Sequence, residues 1–276
     1  ATFVFESAIS ANTGASSGFT RNSHVALNGG FGSVSFGRQY TPTFNVIGAT
    51  DIDGTSSFST SNLYPTAVRF DNAMIYTSPS MGGAKASLMI IDESTGIANA
   101  VSTKGHDISV TYSAGPLTVM GATSSITTKT AAVAGVTAVD QTTAMVVAVA
   151  ATNGDIESQT IAATYDLGMV KVMVNHVKLE ATNNVTAASS FDMSETNVGV
   201  AMPMGAITYL AGWGSNKANL INTASVKTND YIVGANYAFS KRTDAYARIS
   251  KTGVINSAFA DAGKVTRTAV GLRHKF

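Results

Sequence analysis

Hydrophobic and polar residues alternate one for one along most of the chain, the period of a strand whose two faces meet different surroundings. From Tyr231 to Phe239, residues Tyr231, Val233, Ala235, Tyr237 and Phe239 oppose Ile232, Gly234, Asn236 and Ala238. From Ala206 to Gly214, Ile207, Tyr209, Ala211 and Trp213 share a face, and from His106 to Ala114, Ile108, Val110 and Tyr112 oppose Asp107, Ser109 and Thr111. The last segment sets Val270, Leu272, His274 and Phe276 against Arg267, Ala269, Gly271, Arg273 and Lys275. The pattern predicts about fourteen strands. They are Ala1–Ala8, Phe19–Leu27, Ser33–Tyr40, Val68–Thr77, Ala84–Asp92, His106–Ala114, Leu117–Ser125, Glu157–Tyr165, Met169–Lys178, Thr196–Met202, Ala206–Gly214, Tyr231–Phe239, Arg242–Lys251 and Thr266–Phe276. In the second of these the rhythm is imperfect, because Arg21 and Ser23 share a face with Val25 and Leu27.

The connections are of two kinds that take turns. Tight, glycine-dependent turns are predicted at Asn28–Gly32, Pro79–Gly83, Gly115–Pro116, Asp166–Gly168 and Pro203–Gly205. Between them lie long polar stretches at Glu93–Gly105, Ile126–Ile156, Glu180–Glu195, Ser215–Asn229 and Thr252–Val265. A soluble sandwich has no reason to sort its loops by length, whereas an outer-membrane barrel does so, with short turns on the periplasmic side and long loops outside. The run Ala144–Ala151 is read as a strand extension or an extra strand, which periodicity does not decide.

Composition narrows the choice further. Only 13% of residues are charged, against roughly 25% in ordinary soluble domains. Yet the longest purely apolar run, Ala144–Ala151, falls far short of the roughly 18 residues that a membrane-spanning helix needs. Low charge without a helical span leaves the closed barrel as the membrane architecture, in which lipid-facing and lumen-facing residues average out. A formal charge of +1 gives no electrostatic case for nucleic acid. The absence of cysteine removes disulfides and thiolate metal sites. The opening ATFVFES has neither a basic n-region nor an apolar h-region and reads as mid-strand, so it carries no information on export.

One connection stands apart. Between SVSFGRQY (Ser33–Tyr40) and VRFDNAMIYTSP (Val68–Pro79) runs a Thr-, Ser- and Gly-rich segment, residues 41–67, carrying Asp51 and Asp53. A structureless loop of this length inside one domain is uncommon and usually functional. In a barrel wide enough for water it has a place to go, because it can fold into the lumen and narrow it. The expectation is a single domain over 1–276 with a constriction loop at 41–67.

Several longer motifs resemble a known family. They are FESAIS (Phe5–Ser10), GGFGSVSFGRQYTPTF (Gly29–Phe44), RFDNAMIYTSPSMGG (Arg69–Gly83), FSKRTDAYA (Phe239–Ala247) and GLRHKF (Gly271–Phe276). Spread over the whole chain, they are similar to the trimeric general porins of Gram-negative bacteria, in the version typical of β-proteobacteria. The resemblance implies an all-β, antiparallel transmembrane barrel of sixteen strands in the outer membrane, with the two preceding Ala1 missing. It implies a homotrimer that passes small hydrophilic solutes and ions without cofactor or catalysis. Carried over motif by motif, it places Asp51 on an acidic position of the constriction loop, with Thr55 where a second acid is usual and Asp53 as a substitute. Arg21 and Arg69 fall on the basic wall, Glu6 on a lumen glutamate beside them, and Asp71 is added to the same group. Arg38, on a face with Val34 and Phe36, is expected at the subunit interface, and Phe276 in the signal read by the barrel-assembly machinery.

Catalytic signals are weak. The segment GASSG (Gly14–Gly18) fits a nucleophile elbow in spelling but has no helix behind it. His24, His106, His176 and His274 lack metal-ligand spacing. Lys85, Lys171, Arg248, Arg267 and Arg273 are read as solvated lumen wall, and Tyr112, Tyr165, Tyr209 and Tyr237 as an aromatic girdle. The alternative from another class is a secreted or surface β-rich protein of the adhesin or lectin kind, which would bury the apolar stripe that a barrel turns to lipid.

Overall fold

The computed structural model describes residues 1–10, 12–60, 68–94, 102–129, 153–184, 191–220, 225–255 and 261–275. Among these residues the chain forms fourteen strands: β1 (Thr2–Glu6), β2 (Asn22–Gly29), β3 (Gly32–Tyr40), β4 (Arg69–Thr77), β5 (Ala84–Ser94), β6 (Ser102–Ala114), β7 (Leu117–Lys129), β8 (Gly154–Asp166), β9 (Lys171–Asn183), β10 (Phe191–Met204), β11 (Ile207–Leu220), β12 (Val226–Ala238), β13 (Thr243–Ile255) and β14 (Asp261–His274). Each pairs antiparallel with its neighbour in sequence, giving one sheet in the order β1 to β14. A helix, α1 (Pro42–Thr50), follows β3.

All fourteen predicted strands are present, and the long and short connections take turns as expected. The short turns are built by residues that tolerate positive φ: Gly115, at φ 56, lets β6 reverse directly into β7. Strand boundaries differ from expectation mainly in two places along the sheet: at its start, where β1 ends at Glu6 rather than Ala8, and along its long-loop rim. The second strand starts at Asn22 rather than Phe19, so Arg21 lies before it and is not bound to the face of Val25. Toward the long loops, β5 to β14 run two to six residues further than the pattern predicts. There the alternation reverses sign: Val177, Leu179, Ala181, Phe191 and Met193 are buried on the inner face. Lys178 and Glu180, beside them, are exposed outside. The run Ala144–Ala151 and Phe276 lie outside the described residues.

The outward face has what lipid requires. Val270 is 87% exposed and Ile161 67%, and Leu27, Val233, Ile249 and Leu272 are likewise uncovered. Tyr112, Tyr165, Tyr209 and Tyr237, all close to short turns, are exposed on the same face, as girdle residues would be. No described helix is long and apolar enough to cross a membrane.

The sheet cannot be flat. Helix α1 packs against β5, β6, β7, β8 and β9, and Asp53, three residues past its end, is ion-paired to Arg248 of β13. Across a flat sheet β5 and β13 would stand about 38 Å apart, while Pro42 to Asp53 reaches only about 25 Å. The strands therefore curl around the segment that follows Tyr40, and that segment lies inside. β1 and β14 are the two ends of the described sheet.

Candidate functional site

The connection expected to be structureless opens with α1, and its start was legible. Thr41 caps the helix, its Oγ1 accepting from the Phe44 amide at 3.0 Å, and Pro42 occupies the first turn, where its missing N–H costs nothing. Threonine before proline is therefore a helix-start signal here. Behind the helix, Asp107 of β6 points inward and is fully buried. Its Oδ1 accepts from the Thr43 amide at 3.0 Å and from the Thr43 hydroxyl at 2.9 Å. A carboxylate at a helix N-terminus satisfies an otherwise orphan donor and meets the positive end of the helix dipole. At the other end, Asn175 of β9 donates to Thr50 Oγ1 at 3.1 Å.

Packing completes the attachment. Ile47, fully buried, joins Val177, Leu179, Ala181, Phe191, Met193 and Ala218. Val46 packs on Met120 and Ala162. Burial of two such side chains contributes about 1.5–3 kcal/mol each. Beyond the helix, glycines in β10 and β11 leave a slot: a Cβ on Gly199 would stand 2.8 Å from Ile52 Cβ, and one on Gly214 2.8 Å from the Thr60 carbonyl.

The acids of the segment are engaged within it or with the wall. Asp51 is buried, accepting from the Asp53 amide at 2.9 Å, the Thr55 amide at 2.7 Å and the Ser59 hydroxyl at 2.5 Å. Burial raises its carboxyl above the ordinary aspartate value, with these bonds opposing. Asp53 Oδ1 meets Arg248 Nε at 2.7 Å, and the two side chains are only 9% and 5% exposed. Arg248 also donates to the carbonyls of Ala235 and Ala247 and to Asn236 Oδ1. Arg248, expected as solvated wall, is instead a buried anchor, because Gly234 leaves room for its side chain to lie flat on the sheet.

A second group gathers where β1, β2, β3 and β4 meet the start of the loop. Glu6 accepts from Arg21 Nε and Asn22 Nδ2, each at 2.6 Å. Arg21 donates to the Tyr40 hydroxyl at 2.9 Å, and Arg69 donates to the same oxygen. The Arg69 guanidinium also lies 4.0 Å over the Tyr40 ring, which stacks on Phe44 at 4.8 Å. The structure thus brings Glu6, Arg21 and Arg69 together around Tyr40, which the sequence reading did not single out. It does not add Asp71 to them: a two-residue bulge at Asp71 and Asn72 interrupts β4, and Asp71 pairs with Arg38 at 2.9 Å. Nor do Asp51 and Asp53 touch the two arginines; their partners lie elsewhere.

Between α1 and the wall of β2 to β9 is an open cavity of about 650 Å³, with Asn45 and Ala49 of the helix on one side and Lys85 and Lys171 on the other. The inward-folded segment is thus held at both ends, by Asp107 and by Arg248, with this cavity open beside its helix.

The family model for Gram-negative porins matches residues 1–253. The chain belongs to the Gram-negative porin family. Solved porins share its fold: the anion-selective porin of Comamonas acidovorans superposes with a TM-score of 0.76 at 19% identity, over 99% of this chain and 84% of that one. The trimer form of OmpT from Vibrio cholerae gives 0.71 at 18%, covering 95% and 82%. OmpF of Salmonella typhi in complex with daunomycin gives 0.67 at 14%, covering 92% and 77%. No curated protein sequence matches. This porin is an outer-membrane barrel of a channel family, and nothing found favours the adhesin alternative.

Asp107 was the anchor least visible in the porin's sequence, because an inward acid on an alternating strand looks like lumen lining. Asp107→Ala is expected to speed hydrogen exchange at the Thr43 amide by about ten- to a hundredfold, since a buried donor loses its acceptor at about 1–3 kcal/mol. Asp107→Asn, which keeps the Oδ1 acceptor, is expected to stay near the native rate. Equal rates in all three proteins would remove Asp107 from the anchoring role.

Proposed function

We propose that this porin is a general diffusion channel for small hydrophilic solutes and ions, constricted by residues 41–67 and assembled as a homotrimer in outer-membrane lipid. The observation that carries this reading is the path of the loop. Thr41 to Thr60 runs across the inside of the sheet, held by Asp107, Gly199 and Arg248, with an open cavity beside α1. Transport down a gradient needs no cofactor and no catalytic group. Trimers are recorded for the Vibrio OmpT structure, and half-buried Arg38 with exposed Asp71, near the ends of β3 and β4, is our candidate for a contact with a neighbouring subunit. Phe276 is the proposed assembly signal.

Arg69 is the constriction's free cation in this reading. Arg21 is matched by Glu6 and Asp53 by Arg248, whereas Arg69 bonds the hydroxyl and covers the ring of Tyr40, is felt by Glu6 only at a distance, and has no ion-pair partner of its own among the described residues. A net positive charge at the narrowest point favours anions, the sign recorded for the Comamonas porin. Planar-bilayer recording in a salt gradient tests this. Conductance steps arriving in threes are expected, and Arg21→Ala with Arg69→Ala should move the permeability ratio toward cations by about two- to fivefold at low salt. An unchanged or more anion-selective double variant would sink the assignment.

A further inference from the structure

The cavity beside α1 holds a feature that the constriction does not use. Lys85 is the second residue of β5, just after one short turn, and Lys171 opens β9 after another, so both stand at the short-turn end of the lumen. Neither has a hydrogen-bond or ion-pair partner among the described residues, and the cavity lining contains both lysines and no carboxylate. Acids that might neutralise them are held by other groups. Glu6 is paired with Arg21, Asp53 with Arg248 and Asp244 with Arg273, while Asp107 is fully buried behind the start of α1. Asp166, opposite Lys171 across the turn, accepts from the Gly168 amide at 2.8 Å; it keeps its charge but makes no ion pair with Lys171 and is not part of the cavity lining. Between the strands of the two lysines, β6 and β8 present the hydroxyls of Ser109, Thr111 and Thr164 to the same space.

We infer that this vestibule is a second, separate site that concentrates small oxyanions on the periplasmic side of the constriction. Two unpaired ammonium groups facing a low-acid cavity attract anions electrostatically, and walls of low dielectric focus that field. The hydroxyls between them donate to carboxylate or phosphate oxygens and replace part of the lost hydration shell. No single group there grips tightly, so the site loads and empties without trapping its solute, as conduction requires. The inference rests on the channel reading, and places part of the selectivity about Lys85 and Lys171 rather than at Arg69 alone.

The chain contains no cysteine, so K85C/K171C gives two reporters that reagents reach through the pore. In bilayers at 0.1 M KCl, the double variant is expected to lower the chloride-to-potassium permeability ratio about three- to fivefold, and the effect should vanish at 1 M, where the screening length is about 3 Å. A cationic methanethiosulfonate restores the ratio and an anionic one lowers it further. Potassium gluconate in place of chloride should lose current in parallel with the ratio. Channels that open normally but keep their ratio through the substitution and both reagents would overturn the vestibule site while leaving the porin reading intact. Folded protein that gives no channels would overturn the porin reading, and this inference with it.

Discussion

Arg248→Ala is expected to free the far end of the inward-folded loop and, if that loop sets the bore as proposed, to give larger, noisier single-channel currents. The ion pair it breaks is almost dry, with both side chains less than a tenth exposed. Removing one partner leaves a buried, uncompensated charge, a change that costs about 3–5 kcal/mol. The carboxylate of Asp53 escapes that cost by turning into the water of the lumen, taking its neighbours off the wall. Arg248→Lys is not a rescue. Arginine uses Nε for Asp53, Nη1 for two backbone carbonyls and Nη2 for Asn236, a spread of donors that one ammonium group does not span. Adding Asp53→Ala to Arg248→Ala removes the stranded charge, so the pair is expected to be less destabilised than the two single effects summed. Native conductance and native noise in Arg248→Ala would count against the latch.

Gly212→Val should act in the opposite direction. A Cβ there stands 2.8 Å from Ile232 Cγ2 and 3.0 Å from Ile52 Cγ2. Ile232 is fixed in the sheet, whereas Ile52 belongs to the loop, so the loop is the part that yields. It is pushed off β11 toward the passage, and the expected result is a smaller conductance with a loss of about 1–3 kcal/mol from overpacking. Valine suits a strand, and the backbone of Gly212 needs no positive φ, so the effect is one of volume alone. Ile52→Ala in the same chain makes room and is expected to bring the conductance back toward native. If Gly212→Val leaves the current unchanged, the glycine slot is not what seats the loop.

Both predictions depend on contacts between residues far apart in sequence, which alternation along a strand does not reveal. The period-two rhythm located fourteen strands because a lipid-facing side and a water-facing side impose opposite demands on successive residues. It lost the strand ends toward the long loops because those demands change there. Above the lipid the outer face meets water, as at Lys178 and Glu180, and the inner face meets α1, as at Val177 and Leu179. An apolar residue inside and a charge outside is the reverse of the barrel pattern, and a reader following one stripe sees the strand stop.

The site was legible in part. Arg21, Arg69 and Glu6 were placed by motif, and they do meet; Tyr40, which holds both arginines, carried no signal of its own because a tyrosine at a strand end also fits a girdle. Asp51 and Asp53 looked alike as loop acids. The fold separates them: one is spent on the amides of its own turn and the other on a buried arginine nearly two hundred residues later in the chain. By itself, then, the sequence determined the antiparallel all-β architecture, the alternation of short turns with long loops, and the loop that had to be accommodated inside, since all three follow from local period and turn chemistry. Only the tertiary structure decided which charges remain free. That depends on which side chains the curled sheet brings within about 3 Å of one another, and closeness of that kind is set by strand register and curvature rather than by neighbouring residues.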